Sequence, residues 1–160
     1  MQANEVEFEG EALRCWSASL RVLSRSDKSI QQVRASLIQK DFSAEHVETA
    51  IERLIALDYL NDQRFASAYV RTHGSRLGNR QLRRKLLDRG IPEAMVEVAI
   101  NENAAPDQLA LAIQVAERRY LAIAGLPRQT VERRISSLLL RRGFASTTAW
   151  SAIRELQQRN

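Results

Sequence analysis

Leu82-Arg83-Arg84-Lys85-Leu86-Leu87-Asp88-Arg89-Gly90-Ile91-Pro92 is the stretch from which the fold can be read. Leu82 and Leu86 stand one helical turn apart, so they share one face of a helix. Gly90 sits where that helix would end in a left-handed residue, a place glycine takes without a Cβ penalty. Ile91 is a new apolar anchor, and Pro92 suits the first turn of another helix. Fifty-three residues further on, Ile135, Leu139, Gly143, Phe144 and Ile153 repeat Leu82, Leu86, Gly90, Ile91 and Ile100. Forty-nine residues earlier, Val33, Leu37, Ile38, Phe42, Val47 and Ile51 match Leu82, Leu86, Leu87, Ile91, Val96 and Ile100. Asp41 stands there in place of the glycine and tolerates left-handed geometry less well. A period near 50 residues is longer than that of two-helix solenoids and suits three helices with short connections.

The first of these units reads as three helices. Leu13, Trp16, Leu20 and Leu23 recur at helical spacing and form the expected buried face of the first. Ser29-Ile30-Gln31-Gln32 is a capping box that opens the second, with Ile30, Val33, Leu37 and Ile38 expected inside. Asp41-Phe42-Ser43 breaks it, and Val47, Ala50, Ile51, Leu54 and Leu57 stripe the third. Leading helices are expected over residues 11–24, 62–73 and 107–121, with Asn61 capping the second and Pro106-Asp107 starting the third. The expected fold class is all-α, three tandem three-helix repeats. Its divisions are a disordered acidic start at 1–10 and repeats at 11–60, 61–105 and 106–158. Each repeat has few apolar anchors, so neighbours must lean on one another.

The chain has 160 residues, 44% hydrophobic and 27% charged, an ordinary soluble composition. No run approaches the ~18 apolar residues that span a bilayer. The start carries Glu5, Glu7, Glu9 and Glu11 without a basic residue, unlike a secretory signal. Cys15 is the single cysteine, which fits a reducing cytoplasm. Charge is uneven: residues 1–60 carry a net −3 and residues 61–160 a net +8. Lysine occurs only at 28, 40 and 85, and arginine supplies the rest. Arginine's planar fork suits carboxylates and phosphates, so an anionic partner is expected.

Catalytic chemistry has no foothold in the sequence. His46 and His73 lack a second ligand at helical spacing, so no metal site is expected. Gly74 and Gly78 are followed by no Gly-Lys-Ser/Thr, no Gly-x-Ser-x-Gly occurs, and Cys15 has no histidine near it in sequence. No catalytic residue, cofactor or metal is therefore expected.

Two basic clusters are the sharper feature. Arg71, Arg76, Arg80, Arg83, Arg84, Lys85 and Arg89 stand against Asp88 alone. Arg118, Arg119, Arg128, Arg133, Arg134, Arg141 and Arg142 stand against Glu132 alone. In a helix, Arg76, Arg80, Arg83 and Arg84 share a face, while Arg134, Arg141 and Arg142 lie opposite Ile135 and Leu139. Both clusters are expected on the middle helices of their repeats, as successive stripes on one side. Nucleic acid phosphates or an acidic protein groove would each use such stripes. Aromatics are scarce at 6%, and Asn/Gln base readers are not grouped with the arginines, which weighs against sequence-specific DNA reading.

Tyr59-Leu60-Asn61-Asp62-Gln63-Arg64-Phe65-Ala66, followed by Tyr69, resembles the signature of the RecX family. Gly78, Leu82-Arg83, Leu86, Arg89-Gly90-Ile91 and Arg142-Gly143-Phe144 resemble that family's later stretches. Leu77 and Lys85 depart from it, standing where a tyrosine and an acidic residue are frequent. Tyr59 and Leu60 are expected to seal the first repeat, Asn61 or Asp62 to cap the next helix, and Phe65 and Tyr69 to plug the joint between repeats. The resemblance implies an elongated, curved monomer that lodges in the groove of RecA–DNA filaments. It also implies inhibition of recombinase, ATPase and coprotease activities and contact with single- or double-stranded DNA. A helical module that binds nucleic acid without RecA is the alternative reading.

Overall fold

A computed structural model describes residues 9–159 of the chain. The acidic start expected to be disordered lies almost wholly outside the described residues, and Gly10 already belongs to a helix. Among the described residues the structure is all-helical. The order is α1 (Gly10–Arg25), α2 (Ile30–Ile38), α3 (Ala44–Ala56), α4 (Asp62–His73), α5 (Asn79–Leu87), α6 (Glu93–Asn103), α7 (Gln108–Tyr120), α8 (Arg128–Arg141) and α9 (Ser146–Arg159). These are three successive trios, with the expected leading helices within a residue or so of their predicted ends.

Helix starts follow local chemistry. Ser29 accepts from the Gln32 N–H while the Gln32 side chain accepts from the Ser29 N–H, a complete capping box on α2. Ser43 caps α3, and Asp107 accepts from the N–H groups of Leu109 and Ala110 at α7. Pro92 occupies the N-cap of α6, one position before the first turn expected for it. Asn61 accepts from the Arg64 N–H and so caps α4 as the sequence indicates.

The chain divides into two compact units, Met1–Phe65 with Arg89–Ile91, and Ala66–Asp88 with Pro92–Asn160. In the first unit Val33, Leu37, Val47, Ala50, Ile51, Leu54 and Leu60 form the core. Removing a buried leucine such as Leu37 costs about 2–5 kcal/mol, so these few anchors dominate the unit's stability. Half of the expected face of α1 packs inward: Trp16 and Leu23 lie against the core. Leu13 and Leu20 are 48% and 36% exposed, and Cys15, Ala18 and Ser19 are buried instead. Small residues let α1 approach closely, and Ser19 offsets its burial by donating to the Trp16 carbonyl at 2.7 Å. Ile38 and Leu57 are exposed rather than inside, because each stands at the end of its helix, past the last turn that faces the core.

The repeat is visible in burial. Val33, Leu82 and Ile135 are buried, as are Leu37, Leu86 and Leu139, and Ile51, Ile100 and Ile153. Asp41, Gly90 and Gly143 all adopt left-handed backbone, with φ of 62°, 75° and 85°. In each unit one such turn is fitted against the start of another middle helix. In the first unit, Ser29 Oγ donates to the Arg89 carbonyl and Gly90 lies on Gln31, where a Cβ would come within 2.5 Å. In the second, the Gly78 N–H donates to the Arg142 carbonyl at 2.8 Å. A Cβ on Gly143 would meet the Gln81 backbone nitrogen at 2.3 Å. Both glycines are therefore required twice, by φ and by contact.

Candidate anion-binding groove

The second unit carries an open groove of about 760 Å³. Arg118 and Arg119 enter it from the last turn of α7. Arg133, Arg134 and Arg141 come from α8, and Arg142 from the C-cap of that helix. Arg76 completes it from the turn before α5. The α8 residues are spaced so that Ile135 and Leu139 are buried while Arg133 and Arg134 before them and Arg141 after them are exposed. Val115 and Leu138 supply apolar floor, Ser137 a hydroxyl, and among the described residues no carboxylate lines the groove. Arg142 donates to the Arg76 carbonyl at 3.4 Å, which ties the turn to the end of α8. Arg76, Arg118, Arg119, Arg133, Arg134 and Arg141 have no ion pair among the described residues. Such concentrated positive charge attracts an anion from a distance and holds it through forked hydrogen bonds.

This arrangement corrects the two stripes read from sequence. Arg76 and Arg89 lie outside α5, and Arg118 and Arg119 lie on α7, so neither cluster is confined to a middle helix. Arg83 is held by carboxylates of α6: Glu93 at 2.9 Å and Glu97. Arg71 donates to the Asn103 side chain at 3.1 Å. Arg80 and Arg84 are exposed on α5, and Lys85 is half-buried there, all away from the groove. Arg89 contributes its backbone carbonyl to Ser29. Arg128 pairs with Glu132 at 2.9 Å. What joins Arg76 to the second cluster is the fit of the Gly78 turn against Gly143, which no spacing in the sequence announces.

Cys15 is buried with its thiol on the His46 carbonyl at 3.6 Å. Burial, and then the Glu11 carboxylate, push its pKa above the ordinary thiol value. A thiol so disfavoured as thiolate is a poor nucleophile. Among the described residues no cluster of three or more His, Cys, Asp or Glu side chains could hold a metal ion. No helix among them is long and apolar enough to cross a membrane.

Residues 15–54 match the family model described as RecX, first three-helix domain, and residues 61–100 match RecX, second three-helix domain. Regulatory protein RecX of Trichlorobacter lovleyi is 39% identical over 140 residues, which are 82% of this chain and 88% of that protein. The chain belongs to the RecX family. Regulatory protein RecX of Thermus thermophilus is 36% identical over 116 residues, covering 68% of this chain and 81% of the relative. The crystal structure of RecX from Lactobacillus salivarius superposes with a TM-score of 0.77 at 24% identity, over 92% of this chain and 97% of that one. That likeness shows a shared fold.

The RecX signature is explained by what its residues touch. Leu60 is buried, but Tyr59 is 57% exposed and seals nothing by itself. It lies outside because Asp58 turns the chain at φ 56°, after which the N–H groups of Tyr59 and Leu60 both reach back to the Leu54 carbonyl. Arg64 clamps that turn, donating to the Asp58 carboxylate at 2.6 Å and to its carbonyl at 2.7 Å. Asp62 is nearly buried and accepts from the Ile30 N–H at 2.9 Å. It thus caps α2, 32 residues earlier, while Asn61 caps α4. Burial pushes the Asp62 pKa above its usual value, while the Ile30 N–H and the Arg34 guanidinium pull it down by less. Phe65 and Tyr69 are half-buried, and the Tyr69 ring lies 4.2 Å from that of His73.

Proposed function

We propose that this RecX-family chain regulates the RecA recombinase by binding RecA–DNA filaments, with the arginine groove of its second unit as the contact surface. The observation that carries the reading is the gathering of Arg76, Arg118, Arg119, Arg133, Arg134, Arg141 and Arg142 around one groove that no carboxylate lines. A RecA–DNA filament offers both carboxylates and phosphates to such a surface. Bound there, the chain would bias filament packing or turnover and so lower recombinase, ATPase and coprotease activity. It would thereby act in homologous recombination, DNA repair and the SOS response in the cytoplasm. The action is steric and electrostatic and uses no cofactor.

The test is the rate of RecA ATP hydrolysis on single-stranded DNA, titrated with the native chain and with an Arg133→Glu/Arg134→Glu variant. The native chain should slow hydrolysis and the variant should not. No effect of the native chain at any concentration would overturn the proposal.

A further inference from the structure

The arginine groove does not end at α8. Arg133 and Ser137 also line a second hollow, of about 540 Å³, between α8 and α9. Its wall is the indole of Trp150, on α9 and 49% exposed. Thr130, Ser136 and Gln129 stand around it. The one carboxylate there, Glu132, is already engaged by Arg128 at 2.9 Å and by the Gln157 amide at 2.6 Å. The other tryptophan, Trp16, is half-buried against the core of the first unit.

We infer that Trp150 is a stacking platform for a nucleobase, so that the groove takes single-stranded nucleic acid, phosphates on the arginines and a base on the indole. A half-exposed indole beside a phosphate-binding track is the arrangement that single-strand binders use, because every base has a π-face. Duplex DNA keeps its bases stacked on one another and could use the arginines alone. An acidic peptide would also find the arginines, but it has no planar group for the indole. The surrounding hydroxyls and amide suit base edges better than the apolar seat of a protein–protein anchor. The inference rests on the groove being the partner surface and names which anion of that partner it grips.

The experiment uses the full chain carrying Trp16→Phe, so that Trp150 is the only indole, and needs no RecA. Its indole fluorescence, and for binding itself the anisotropy of the end-labelled ligand, are followed on titration with an oligothymidylate, with an abasic oligonucleotide of the same length and charge, and with polyglutamate. The oligothymidylate should quench Trp150 saturably, and the abasic strand should bind more weakly without quenching. Trp150→Ala should weaken oligothymidylate binding about ten-fold, within the range for one stacked base, and leave abasic binding unchanged. Arg133→Gln/Arg134→Gln should weaken both strands. Equal binding of the two strands without quenching would overturn the inference, as would tight polyglutamate binding that quenches Trp150. Because RecA is absent, this result stands apart from the outcome of the ATPase assay.

Discussion

Ser29 Oγ lies 2.5 Å from the carbonyl oxygen of Arg89, sixty residues away in sequence. The same hydroxyl accepts from the Gln32 N–H, so one side chain caps α2 and fastens the turn that follows α5. Gly90, next along that turn, rests on Gln31. Gly143 rests on Gln81 in the same manner, beside the hydrogen bond from Gly78 to Arg142. A single joint is used twice, and its geometry yields the first prediction.

Alanine at Gly90 or Gly143 should destabilise the chain by about 1–3 kcal/mol, since it adds both left-handed strain and a Cβ inside contact distance. Asp41 has φ 62° but belongs to the first trio, with no earlier middle helix for its turn to meet. Asp41→Gly should therefore stabilise by up to about 1 kcal/mol. Urea denaturation followed by circular dichroism measures all three. Equal loss in Gly143→Ala and Asp41→Gly would contradict the account.

Asp62 gives a prediction in pH. Its folded pKa is raised, chiefly by burial, so the folded state holds the proton more tightly than the unfolded chain does. The stability this contributes is fully present below the unfolded pKa, near 3.8, and is lost as pH rises through the folded value. Asp62→Asn keeps an oxygen for the Ile30 N–H and cannot ionise. Relative to the native chain, it should gain stability as pH climbs from about 4 toward neutrality. Asp62→Ala loses the cap and should cost about 1 kcal/mol at pH 7. Thermal melts from pH 3.5 to 7 compare the three, and parallel pH curves for native and Asn chains would refute the burial argument.

Cys15 should react slowly. Burial and the neighbouring Glu11 both disfavour its thiolate. In native buffer a disulfide reagent should modify it at the rate of local opening, and in denaturant at the rate of a free thiol. Fast labelling of the folded chain would mean that α1 does not pack as described.

The middle and last helices of each trio were legible in the sequence because their cores are large aliphatic residues. Leu82, Leu86 and their counterparts announce both period and face. The first helix was legible in extent, and Trp16 and Leu23 face inward as expected, but the centre of its buried face was not. Its core is Cys15, Ala18 and Ser19, which a hydrophobicity pattern ranks below Leu13 and Leu20, yet only small side chains allow close helix approach. The groove was half legible. Arginine clustering located Arg118 to Arg142, but the partners that remove Arg83 and Arg71 from it come from α6. The contact that adds Arg76 is made across the Gly78–Gly143 joint. Asp62 was recognisable as a capping residue, but which helix it caps depends on tertiary contact.

Arg83 and Arg134 look alike in sequence and separate the structural account from a mere charge effect. Arg83 is engaged by Glu93 and Glu97, and its ion pairs are partly exposed. Arg83→Gln should cost less than about 1 kcal/mol of stability. It should also leave RecA inhibition within about two-fold, because Arg83 does not line the groove. Among the described residues Arg134 has no ion-pair partner, and it does line the groove. Arg134→Gln should leave stability unchanged and weaken inhibition, more so at low salt, where surface charge acts over longer distances. If an anion is held through phosphate contacts, each arginine lost should also lower the salt dependence of binding by about one unit of slope. Inhibition curves at two salt concentrations for both variants decide the matter. Equal losses from Arg83→Gln and Arg134→Gln would mean that net charge, and not this groove, engages the partner.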